Sequence, residues 1–78
     1  MRVKVANRMY GMGRKEYQGL LKIASDKVPF GIYAIEKGDY AELRYDICKS
    51  MTQLKALSRQ FKRQGFRVLS NKGQKGGA

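Results

Sequence analysis

Four cations fall along one flank of a single amphipathic segment. Lys55, Arg59, Lys62 and Arg63 sit among Leu54, Leu57 and Phe61. With a helical turn of about 100° per residue counted from Leu54, the apolar residues stay within about 60° of it, while Lys62, Lys55, Arg59 and Arg63 fall at about 80°, 100°, 140° and 180°. No acid lies on this segment to pair them. Like charges one turn apart repel, and a phosphate backbone would relieve that repulsion and release its counterions. Lys49 precedes the segment, and Arg67, Lys72 and Lys75 follow it. The chemistry these residues suit is holding the phosphates of a nucleic acid, DNA or RNA. Lys62 and Arg63 also suit the negative end of a helix dipole, a purely structural reason for them. A solvated basic face without a ligand is the plainer alternative.

A second constellation lies on a hairpin. Tyr33, Ile35, Tyr40 and Arg44 share one face by the period-2 rule, together with Glu42 and Asp46. Arg2 and Lys4 from the first strand and Arg67 from the last could join them. Rings to stack bases and cations to hold phosphates are what a single strand needs. The signature run of an RNA-recognition motif is missing. An exposed mix of Tyr and Ile, with Leu69 beside it, equally suits a homodimer or another protein contact. With both helices on the other side of the sheet, the basic helix flank and this face point apart, so one short ligand cannot use both.

Catalysis has little to draw on. Asp39, Glu42 and Arg44 form D-x-x-E-x-R, and Glu42 and Asp46 could hold a magnesium ion for phosphodiester cleavage. The pattern is short, and arginine cannot take the place of a lysine whose proton must move. The chain has no histidine, the usual general base and metal ligand near neutral pH. Cys48, the only cysteine, has no base to activate it and no partner for an internal disulfide. Gly11-Met12-Gly13 lacks the third glycine of a dinucleotide-binding loop. These absences argue against an enzyme, a cofactor or a metal.

Seventy-eight residues make one domain with a compact core. Hydrophobic residues at 42% place it among globular chains rather than disordered ones. The net charge of +11 is unevenly spread: all six acids precede Ile47, and every charged residue after it is basic. Such an excess opposes compaction and points to a polyanionic partner. No apolar run is long enough to span a membrane, Met1-Arg2-Val3-Lys4-Val5 does not read as a signal peptide, and a lone thiol suits a reducing compartment. The expected location is cytoplasmic.

The elements that must position these residues follow from local signals. Arg2 and Lys4 alternate with Val3 and Val5 as a short strand, and Asn7-Arg8 can turn it back into a small arm at Met9-Tyr10. Gly13 with Glu16 starts a helix carrying Tyr17, Leu20, Leu21, Ala24 and Val28, and Pro29 ends it. Pro29–Ile35 and Tyr40–Ile47 read as a hairpin about Lys37-Gly38. That register sets Ala34 opposite Ala41, Ile32 opposite Leu43 and Phe30 opposite Tyr45, all on one buried face. Ser50-Met51-Thr52-Gln53 is a capping box for the basic helix, and Gly65 ends it. Phe66–Leu69 is a last strand.

The stretches NRMYGMGRKEY, VPFGIYAIEKGDYAELR and TQLKALSRQFKRQGFRVLSN resemble small proteins of unknown function carried by phages and conjugative elements of Gram-positive gut bacteria. The resemblance brings no site residues. It implies the context of a mobile-element accessory protein, a class that often binds DNA or RNA or blocks a host factor.

The expectation is an α+β two-layer sandwich. An antiparallel sheet carries two helices on one face in β-α-β-β-α-β order, with the first strand open to being a hairpin, and the ferredoxin-like split βαβ arrangement leads. Residues 1–70 form the domain and 71–78 a flexible basic tail.

Overall fold

Short-range signals start and stop the elements. In the computed structural model, which describes residues 1–73, they run β1 (Arg2–Val5), β2 (Arg8–Gly11), α1 (Arg14–Lys27), β3 (Phe30–Lys37), β4 (Tyr40–Ile47), α2 (Met51–Arg63) and β5 (Arg67–Lys72). Ala6 and Asn7 both take positive φ, 50° and 68°, and fold β2 back onto β1 in a two-residue turn. The Glu16 carboxylate accepts from the Gly13 amide at the head of α1. The Ser50 hydroxyl accepts from Gln53 N at 3.2 Å, and the Gln53 side chain reaches back to the Lys49 amide at 2.8 Å. At the far end of α2, Gly65 at φ 91° lets Phe66 N reach Phe61 O and Gly65 N reach Lys62 O, closing the last turn.

The five strands form one sheet in the order β2-β1-β4-β3-β5. β1 runs parallel to β4, and the other neighbours are antiparallel, so the sheet is mixed rather than antiparallel. The β3–β4 loop is Gly38-Asp39, one residue later than expected, which puts Ala34 opposite Leu43 and Lys37 opposite Tyr40.

β3 decides the architecture. Its register slips between Ile32 and Ala34 against both β4 and β5. Before the slip, Phe30 and Ile32 face α2. After it, alternation restarts out of step, and Ala34 joins Val3, Ala41 and Leu43 beneath Tyr17 and Ala24 of α1. Ile35 returns to the other side with Cys48 and Leu54. β4 alternates without interruption, with Leu43 under α1 and the Arg44 guanidinium 5.0 Å from the Phe61 ring of α2. The helices therefore cover opposite faces of the sheet.

Three expectations are corrected by this. The order opens with two strands. The layers are three, helix on sheet on helix. The split βαβ arrangement with both helices on one side does not form, because the crossovers β2-α1-β3 and β4-α2-β5 step the same way along the sheet from oppositely directed strands, which sends their helices to opposite faces. The six residues assigned to one buried face are divided: Ala34, Ala41 and Leu43 serve α1, Phe30 and Ile32 serve α2, and Tyr45 is exposed.

Residues 71 and 72 also belong to the domain rather than to a tail. Asn71 donates from its amide to Ser25 O at 2.9 Å, Ser25 Oγ at 2.8 Å and Val28 O at 3.0 Å, tying β5 to the end of α1. The remainder of the expected tail, with Lys75, lies outside the described residues. Among the described residues no helix is long and apolar enough to cross a membrane.

Candidate functional site

The buried seam of α2 orients its cations. Leu54 is buried, and Leu57 and Phe61 pack beside it on Ile32 and Ile35. Phe61 and Phe66 meet edge to face at 6.3 Å, and Lys37 Nζ donates to Gln64 O at 3.0 Å while lying 5.5 Å from the Phe66 ring. These contacts fix the rotation of α2 about its axis. Arg44 of β4 approaches Phe61 from one side, so the cationic flank turns the other way, toward β5.

There it forms a wall of a groove of about 390 Å³. Lys55, Arg59 and Lys62 line the helix side, and Lys72 stands on the strand side. Met51, Leu54 and Val68 make the floor, with Ser58 and Ser70 between. Among the described residues lining it there is no carboxylate. At about 1.5 Å of rise per residue, Lys55 and Arg59 are about 6 Å apart along the axis and Arg59 and Lys62 about 4.5 Å. The groove can thus present a row of cations to an extended anion.

The other sequence-predicted residues are not all brought here. Arg63 is exposed on the solvent side of α2, away from the groove. Lys49 is exposed just before the cap and engages Gln53 through its backbone. Arg67 is exposed on the α1 side of β5, in step with Leu69 and Asn71, and so faces away from Lys55, Arg59 and Lys62. On the strand side the expected Lys72 is joined by Ser70, which reading the cations alone overlooks. The signal for them was the alternation Val68, Ser70, Lys72 at period 2.

The expected open sheet face does not assemble. Ile35 is 1% exposed beneath α2. Tyr33 packs against the α1 core on the opposite side. Tyr40 stays on the α2 side, where its hydroxyl donates to Glu42 at 2.9 Å and its ring lies 6.3 Å from Phe66. Burial, then the Glu42 carboxylate, raises the Tyr40 pKa above its ordinary value. Arg44 donates to Asp46 at 2.8 Å and to Glu42 at 3.0 Å. The Asp46 bond in particular raises its pKa. Its charge is balanced by two carboxylates, so it offers a phosphate little. The same pairing occupies Glu42 and Asp46, the carboxylates weighed for magnesium. Among the described residues no group of three metal-ligating side chains converges. Cys48 is buried, which raises its thiol pKa, and the neighbouring Asp46 adds to this.

Comparison with known protein families, with curated proteins and with solved structures found no match.

Proposed function

We propose that this protein is a small non-enzymatic nucleic-acid-binding protein that holds phosphates in the groove between α2 and β5. One observation carries the reading: Lys55, Arg59, Lys62 and Lys72 come from two elements yet line one concavity, with no carboxylate beside them among the described residues. Cations set by chance on a solvated surface need not converge in this way. The net charge of +11 adds a long-range attraction for polyanions. The resemblance to mobile-element proteins supports an accessory role in the cytoplasm for such an activity. The competing homodimer reading relied on Tyr33, Ile35, Tyr40 and Leu69 as one surface, and these residues are divided between two faces.

The test is binding measured by fluorescence anisotropy across a salt series. With four phosphates neutralised, log K falls with log salt at a slope of roughly −3 to −4. Replacing Arg59 and Lys62 together by Ser weakens binding while leaving the circular dichroism spectrum and Tm close to wild type. Absence of binding to duplex DNA, single-stranded DNA and RNA alike at ~50 mM salt, where phosphate contacts are strongest, removes the reading.

A further inference from the structure

We infer that the α2–β5 groove takes one strand of a nucleic acid, phosphates along the helix wall and bases against the floor and the edge of β5. This rests on the proposed nucleic-acid reading and names its ligand.

The groove is two-sided in chemistry. Three cations stand on the helix wall, while the floor is Met51, Leu54 and Val68. A strand whose backbone follows Lys55, Arg59 and Lys62 turns its bases toward that floor. Flat base faces can cover apolar side chains there without losing hydrogen bonds. β5 then supplies a third feature. Among the described residues it is the outermost strand and pairs with β3 alone, so one edge of its backbone along Arg67–Lys72 faces away from the sheet. Bases of a single strand have free Watson–Crick edges to meet that edge. A duplex has already spent its own.

Duplex binding would ask for a different placement. A helix that enters a major groove presents its outward face to the bases. The outward side of α2 carries Thr52, Ala56 and Arg63, whereas Lys55, Arg59 and Lys62, though exposed, lie along the flank that borders β5. A second copy pairing along β5 would bring the same cations into mutual repulsion. An added peptide strand would satisfy the edge, but only a chain with a regular run of anions meets the helix wall as well.

The experiment compares full-length protein binding to oligo(dT) and oligo(rU) of about 12 nucleotides, a length within the range of small single-strand sites. The same assay includes a hairpin duplex of each, an abasic oligomer with the dT backbone, and poly-glutamate of matched charge. The better single strand binds about tenfold more tightly than its duplex at ~100 mM salt, because only it offers both anions and free base edges. The abasic oligomer and poly-glutamate bind about fivefold or more weaker, since they keep the charge and lose the faces that cover the floor. Met51→Ala narrows the gap between oligo(dT) and the abasic oligomer. A duplex that binds as tightly as the single strand overturns this inference and leaves the nucleic-acid reading standing. An abasic oligomer or poly-glutamate equal to the single strand also overturns it. No binding to any nucleic acid overturns both.

Discussion

Ala34 and Ile35 are neighbours in one strand and belong to different cores, Ala34 beneath α1 and Ile35 beneath α2, each essentially without exposure. β3 is thus buried on both faces, and its short run of small and branched residues links the two halves of the protein. Ile35→Ala opens a cavity beneath α2 and costs about 2–4 kcal/mol. Urea unfolding followed by circular dichroism measures it. A loss under about 1 kcal/mol would mean that the α2 side is not packed as described.

Gly31 lies where β3 runs close against the backbone of Asp46 on β4. Its φ is 149°, and an added Cβ would stand 2.0 Å from the Asp46 carbonyl oxygen. Both the conformation and the space exclude a side chain, so Gly31→Ala forces β3 and β4 apart at the start of the hairpin. The expected result is a variant that unfolds at a clearly lower temperature than wild type. By contrast Gly19 in α1 has nothing within 4 Å of the position a Cβ would take, so Gly19→Ala there raises stability by up to ~1 kcal/mol.

Arg67 and Lys62 separate bulk charge from placed charge. Both are exposed, but Lys62 lines the groove and Arg67 faces the α1 side. Lys62→Ser reduces the magnitude of the salt slope for nucleic-acid binding by about 1, and Arg67→Ser leaves it nearly unchanged. Equal effects from the two would show that binding follows net charge and has no address.

Tyr17 couples stability to alkaline pH. Its ring is buried and its hydroxyl donates to Glu36, half-buried on β3. Burial first, and then the Glu36 carboxylate, hold its pKa far above the ordinary 10.0. The folded state therefore keeps a proton that the unfolded chain releases. The stability from this group is whole below pH 10.0 and is lost as pH rises beyond it. Tyr17→Phe is less stable than wild type at neutral pH, and the difference in Tm closes as pH climbs past that value. A constant difference would show that the hydroxyl is solvated.

Much of the local structure was legible in the residues. Pro29 ends α1, Ser50 and Gln53 cap α2, Gly65 closes it and Asn7 sits in the β1–β2 turn. Each acts over a few residues of chain, so neighbours in sequence suffice to specify it. The cationic flank of α2 was legible for the same reason, since helical periodicity fixes Lys55, Arg59 and Lys62 relative to Leu54 whatever surrounds them.

What the flank faces was decided elsewhere. The register slip at Tyr33 separates Ile32 from Ala34 and brings Ile35 to the Ile32 side, so one face of β3 meets α1 and the other meets α2. It depends on how β3 meets two partners, one adjacent in the chain and one more than thirty residues away, and no single segment encodes it. Strand order is the same kind of property. Placing β5 at the edge beside α2 brings Lys72 to Lys55, Arg59 and Lys62 and leaves Arg67 behind. The sequence by itself determined that the second half of the chain is basic and that its helix carries cations on one flank. Only long-range strand pairing, which sets which faces are buried, turned that flank into the wall of a groove.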